Sequence, residues 1–290
     1  MTALRVATYN IHKGVLRGAF GLRRIERINE LRTRLHSLNS DLVFLQEVQG
    51  HNERNLRRFE HWPSEPQEVF LSRSPGLQPT FQTAYGRNAS YLHGHHGNAL
   101  LSRYPIVGQE NRDISDHALE KRGVLHCVVQ VDGRDVHCFV VHLGLFAGSR
   151  DRQLAALLEW IEGVIDPTAP LIVAGDFNDW RNRLSDPLCG GAGVTEVFDS
   201  YRPRPQVAQR AVHFMHERLA DFGVSQVALP GVPRMVRTAR TFPALAPWLR
   251  MDRIYQRGFR VRSAQVLRGL GWSRLSDHSP LVADLELIGS

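Results

Sequence analysis

Cysteine is scarce in this 290-residue chain: there are three, an odd number at wide spacing. That count argues against a disulfide framework and against a cysteine-built zinc site. Cys127 and Cys138 flank the turn signal Asp132-Gly133, so a two-residue hairpin there would set them opposite each other, as two small core residues of a reducing cytosol. Lysine is scarcer still. Only Lys13 and Lys121 are lysines among 36 basic residues, so the net charge of +7 is carried almost wholly by arginine. Arginine suits bidentate contact with phosphate, although a GC-rich genome yields the same bias. Long apolar runs are missing too. The stretch from Leu171 to Ala174 is typical, far below the roughly 20 residues that span a bilayer. No secretory signal opens the chain, which reads as mature structure from about Leu4 and as cytoplasmic. Repeats, low-complexity tracts and long linkers are absent. With 42% hydrophobic residues the chain reads as folded rather than disordered, and as one domain over residues 1–290.

Strand and helix patterns alternate. Residues 4–11 predict a buried strand, and residues 22–38 an amphipathic helix through Leu22, Ile25, Ile28, Leu31, Leu35 and Leu38. Arg23, Arg24, Arg27 and Arg34 fall on its solvated side. Further buried strands are expected at 42–45, 97–101 and 171–174, with a hairpin of 124–131 and 136–143. A second amphipathic helix is expected over 150–165. Residues 203–247, rich in Pro and Arg, predict a helix and a long loop. Strands at 251–255, 261–267 and 280–288 close the chain. Strands apolar on both faces belong to a layered core. Polar residues recur at the ends of these strands: Asn10, Glu47, His142, Asp176 and Asn178. Such ends cluster on one rim, where active sites form.

Seven motifs now stand in order: Thr8-Tyr9-Asn10, Leu45-Gln46-Glu47-Val48, Gly97-Asn98-Ala99-Leu100-Leu101-Ser102-Arg103, Val141-His142-Leu143, Gly175-Asp176-Phe177-Asn178, Met251-Asp252-Arg253-Ile254 and Ser276-Asp277-His278-Ser279-Pro280. Together they resemble the endonuclease/exonuclease/phosphatase superfamily over nearly the whole chain. The resemblance implies a four-layer α/β sandwich, two mixed sheets covered outside by helices, as in deoxyribonuclease I. It also implies hydrolysis of phosphate esters with Mg²⁺, for which Mn²⁺ can substitute. Glu47 would be the principal metal ligand, a hard carboxylate for a hard cation, with Asn10 and Asp277 completing or supporting the shell. His278 would act as general base on water, oriented by Asp252. Asp176 would position or deprotonate that water, and Asn178 would donate to a phosphate oxygen. His142 would bind the phosphate or protonate the leaving group. Arg122 and Asn98 would contact substrate.

Other features have plainer readings. His93, His95 and His96 lie in a Gly-rich stretch and read as a polar loop beside the site, since no partner spacing supports a zinc cage. Trp62, Trp180, Trp248 and Trp272 read as scattered core and surface residues. The substrate is a choice of polyanion. Val48 after Glu47, and His142-Leu143-Gly144 at the strand end, depart from the abasic-site endonucleases. They lean toward sphingomyelinases, inositol phosphatases and deoxyribonuclease-like members. The stretch from Thr241-Phe242-Pro243 to Trp248 resembles a bacterial subgroup related to lipid and glycolipid-anchor remodelling proteins, some encoded beside cardiolipin synthase. A phosphodiesterase acting on a phospholipid head group, docking peripherally on anionic lipid, is therefore the expectation. A DNA or RNA nuclease is the alternative, and an inactive binding module a third. No obligate protein partner is implied.

Overall fold

The computed structural model describes residues 2–17, 24–76, 80–118, 120–201 and 239–289. Its strands in the first half are β1 (Ala3–Asn10), β2 (Val15–Arg17), β3 (Arg24–Glu26), β4 (Leu42–Asn52), β5 (Gln82–Tyr91), β6 (Gly94–Ser102) and β7 (Ile106–Asp113). Then come β8 (Gly123–Val131), β9 (Arg134–His142), β10 (Leu171–Asp176), β11 (Thr195–Glu196), β12 (Asp252–Arg257), β13 (Phe259–Val266) and β14 (Leu281–Leu287). Helices are α1 (Ile28–Ser37), α2 (Glu53–Arg58), α3 (Gln67–Ser72), α4 (Ala147–Val164), α5 (Ser185–Ala192), α6 (Val197–Ser200) and α7 (Leu270–Ser273).

Two six-stranded sheets result, ordered β13-β14-β1-β4-β6-β5 and β11-β12-β10-β9-β8-β7. Both are mixed: β1 runs parallel to β4 and β9 parallel to β10, while their other neighbours are antiparallel. Because side chains alternate along a strand, each central strand feeds two cores. Leu4, Val6, Phe44 and Leu100 meet Leu125, Val140, Ile172 and Ile254 between the sheets. The opposite faces pack under helices, Val43 and Leu45 against Ile28, Leu31 and Leu35 of α1, and Phe139 and Val173 against Leu157 and Trp160 of α4. The fold is the four-layer α/β sandwich that the sequence suggested.

Some elements differ from expectation. The helix predicted over 22–38 begins at Ile28, because Arg24–Glu26 pairs with Val15–Arg17 as a hairpin and Arg27 N–H donates to Gly14 O. Ile25 belongs to that hairpin, and Leu22 lies outside the described residues. The strand at 42–45 continues to Asn52 through two irregularities, the first carrying Glu47 at φ 57°. Strands β5 and β7 are additions, since their largely polar, exposed residues show little apolar alternation. Cys127 and Cys138 are direct cross-strand partners, both buried free thiols. Most of the Pro/Arg-rich region expected at 203–247 falls in 202–238, outside the described residues.

Candidate active site

Strand pairing alone assembles half of the site. Asp176 at the end of β10 is in register with His142 on parallel β9 and with Asp252 on antiparallel β12. Three chemistry-bearing residues thus share one level of the second sheet. Gly175 makes this possible: its φ is 151°, and a Cβ there would lie 1.9 Å from Val141 O. From the first sheet, Asn10 and Glu47 end β1 and kink β4. The loop before β14 adds Asp277 and His278, its backbone tied down by Ser276, whose hydroxyl donates to Asn10 O at 2.7 Å and accepts His278 N–H at 3.2 Å.

The hydrogen bonds knit the halves together. Asn10 Nδ2 donates to Asp176 Oδ2 at 3.1 Å and faces Glu47 Oε1 at 3.5 Å, so one amide spans the two sheets. Asp252 Oδ2 accepts from His278 Nδ1 at 2.8 Å, and both are buried. The other ring nitrogen, Nε2, stands 3.7 Å from Asp176 Oδ2, and His142 Nε2 stands 3.6 Å from the same oxygen. Asn178 N–H donates to Asp176 Oδ1, while its side-chain amide donates to Leu143 O at 2.8 Å.

Protonation follows from burial and neighbours. Burial opposes a charge on His278, but Asp252 and Asp176 outweigh it and push the imidazole up to about 10. The surrounding carboxylates thus favour the charged imidazolium. Burial pushes Asp176 up to about 6 against the pull of His278, so Asp176 is the group that changes charge near neutrality. Burial, reinforced by Arg122, keeps His142 neutral. Of the two proton acceptors that the sequence offered, His278 and Asp176, the surrounding carboxylates favour the protonated form of His278.

The metal question separates two clusters. Asp176, Asp252 and His278 bring their donor atoms within 4.8 Å of one another. That cluster already holds a proton, and His278 Nδ1 is committed to Asp252. Glu47 is the stronger candidate ligand. Its Oε2 is shut off from solvent and faces Lys13 Nζ at 3.2 Å. Burial disfavours its charge, yet Lys13 and His12 hold the carboxyl well below its usual range. Asp277 beside His12 is likewise held down, against burial, by that histidine at 3.2 Å. Two carboxylates compensated by borrowed cations fit a divalent ion.

Several expectations land differently. Asn98 is fully buried on β6, where its amide donates to Gly123 O and Val140 O of the opposite sheet and so ties the two sheets together. Arg122 pairs with Glu120 at 2.9 Å and donates to Leu143 O, on the His142 side of the site. Asn10 presents NH₂ to the carboxylates and its oxygen to His12 N–H, so it sets their spacing in this structure. Trp62 packs on Phe59 and Trp272 on Tyr9, whereas Trp180 and Trp248 are exposed. Sequence reading passed over His12 and Lys13, although they directly follow the Asn10 motif. It also passed over the work of Thr241 and Phe242: Thr241 Oγ1 accepts Asp252 N–H at 3.3 Å, and the Phe242 ring lies 5.0 Å from that of His278.

A buried acid, an imidazolium and a carboxylate cation site on one rim define a metal-dependent hydrolase of phosphate esters. Residues 7–278 match the Endonuclease/Exonuclease/phosphatase family, and the chain belongs to it. It is 40% identical over 287 residues, 98% of this chain and 97% of the other, to the uncharacterized protein YbhP of Escherichia coli strain K12. Among solved structures it resembles the mannosyl-6-phosphatase Bt3783 of Bacteroides thetaiotaomicron, with 17% identity, TM-score 0.62, and 97% and 99% of the two chains covered. It also resembles D. rerio TDP2 bound to a single-strand DNA product, with 16% identity, TM-score 0.61, and 99% and 100% covered.

Proposed function

We propose that the protein is a Mg²⁺-dependent phosphodiesterase that hydrolyses a phospholipid head group or related phosphodiester at an anionic membrane surface. The observation that carries the lipid reading is the placement of exposed apolar side chains. Leu145 and Phe146 follow the strand ending in His142, Trp180 follows Asn178, and Leu245 and Trp248 precede Asp252, with Phe146 64%, Leu245 79% and Trp248 65% exposed. Exposed aliphatic and aromatic groups a few residues from His142, Asn178 and Asp252 suit insertion among acyl chains. Aromatics alone would serve base stacking equally. The two leucines would not, which favours lipid over nucleic acid. No helix among the described residues is long and apolar enough to cross a membrane, so contact would be peripheral.

In the reaction, Glu47 and Asp277 would hold the cation, whose chemistry is to neutralise the phosphate and the leaving oxygen. Asp176 accepts a proton from the attacking water. His278, charged and fixed by Asp252, donates to a non-bridging phosphate oxygen, and Asn178 lies beside it. His142, neutral, hydrogen-bonds the phosphate.

The test pairs binding with turnover. Vesicles of phosphatidylglycerol should sediment the protein and raise its hydrolysis of phospholipid, and Trp180→Ser with Trp248→Ser should lose at least tenfold in vesicle affinity while bis-p-nitrophenyl phosphate is cleaved as before. Cleavage of single-stranded or duplex DNA that ignores vesicles and both substitutions would replace the lipid reading with the nuclease one.

A further inference from the structure

Next to Glu47 the surface dips into a second concavity of about 380 Å³. Lys13 lines it and at the same time pairs with Glu47, so the cavity shares a wall with the carboxylate site. Arg24 at the start of β3, Arg54 on α2 and His96 on β6 supply further walls, and no carboxylate is among the described residues that line it. In a chain with 29 acidic residues, that exclusion concentrates positive potential in a confined space. Lys13 is committed to Glu47, but the two arginines are unspent. Neither Arg24 nor Arg54 has a carboxylate partner among the described residues, whereas Arg27, Arg57 and Arg73 nearby in sequence each do. His96 Nδ1 is buried without a hydrogen-bond partner.

The remaining walls are rigid. Tyr91 Oη accepts from Gln49 Nε2 at 3.0 Å and from Asn52 Nδ2 at 3.2 Å, which leaves its own O–H as a donor. Gln49 Oε1 is taken by Asn55 Nδ2 at 2.8 Å, and Asn52 caps α2 through Asn55 N–H. The amides are thus locked to one another, and the tyrosine hydroxyl is fixed in place. Two exposed guanidiniums beside a phenol held by its neighbours match the oxygens of a phosphate, and the guanidinium forks suit it bidentately.

We infer that this cavity binds a second phosphate of the substrate, so that the molecule cleaved carries two phosphate groups, one at Asp176 and His278 and one between Arg24 and Arg54. The inference rests on the reading of the neighbouring site as the place of phosphoester hydrolysis. It goes beyond that reading by making a single-phosphate diester an incomplete substrate.

Arg24→Gln combined with Arg54→Gln tests it, since both side chains are exposed and neither supports the core. Two substrate pairs are compared: diphosphatidylglycerol against phosphatidylglycerol in detergent micelles, and thymidine dinucleotide with and without a terminal 5′-phosphate. In wild type the two-phosphate member of one pair should show the lower KM. The double variant should raise that KM about tenfold or more, the scale of a lost charge-assisted contact. Its kcat, the single-phosphate KM and the cleavage of bis-p-nitrophenyl phosphate should stay put. The pair that responds identifies the source of the second phosphate. An unchanged ratio in both pairs, or an equal loss on bis-p-nitrophenyl phosphate, overturns the inference. Titration with inorganic phosphate, followed by phosphorus NMR, gives a readout free of turnover. Two phosphates per wild-type chain and one per double variant support the cavity even if every ester resists hydrolysis, which would sink only the catalytic reading. One phosphate in both proteins sinks the cavity.

Discussion

A single carboxylate illustrates how burial sets chemistry. Asp176 sits at the junction of Asn10, His142, His278 and the Asn178 backbone, and burial lifts it to about 6. His278 is lifted to about 10 by the charges around it. If Asp176 takes the proton and His278 must stay charged, kcat rises as pH climbs through about 6 and falls as it passes about 10. Asp252→Asn removes the strongest support of the imidazolium, so the alkaline limb should move to lower pH, read on a kcat–pH profile. His278→Ala should lose roughly 10²- to 10⁴-fold in turnover, and the double variant should be little worse than the worse single. Losses that multiply would mean that the two residues act independently. The same shift has a stability consequence. The His278 contribution is fully present below its unfolded value of 6.5 and is lost as pH rises through about 10. Glu47→Gln keeps the shape of the ligand and removes its charge. Turnover should drop by orders of magnitude, and the rise in Tm that Mg²⁺ gives wild type should vanish in calorimetry, because a cation that binds only the native state stabilises it by mass action.

Among the elements, β10 carries the tightest constraint. Gly175 holds φ 151° against Val141 O, so Gly175→Ala must push β9 and β10 apart. A loss of about 1–3 kcal/mol is expected from the urea midpoint, with a fall in kcat because Asp176 is the next residue. The central strands were legible in sequence because they are apolar on both faces, and the motif residues at their ends followed from order alone. The edge strands β5 and β7 were not: Glu110, Asn111, Arg112 and Asp113 of β7 look like a loop until they pair with β8. Apolar spacing misled at Ile25, since three-residue steps fit a hairpin tail as readily as a helix. Within the site, residue types announced Glu47, Asp176 and His278, but charge states depend on which carboxylates fold against a ring, and spacing carries no such information. Asn98 shows the converse, an amide in a motif whose hydrogen bonds serve the joint between sheets.

For the molecule as a whole, a net charge of +7 and the exposed apolar side chains would act over different ranges in the proposed membrane contact. Charge would attract the protein to an anionic surface and be screened within about 10 Å at 0.1 M salt, while apolar insertion would be insensitive to it. Raising ionic strength from about 0.05 to about 0.5 M should therefore weaken sedimentation with phosphatidylglycerol vesicles without abolishing it, and complete release would deny the leucines and tryptophans a part. The division of the site between two sheets has a further result. Asn10, Glu47, Asp277 and His278 belong to one sheet and its loop, and His142, Asp176, Asn178 and Asp252 to the other. On the proposed roles, neither sheet alone would hold both the cation ligands and the proton acceptor. A chain in which the two sheets have not yet met would then be unable to hydrolyse a phosphate ester.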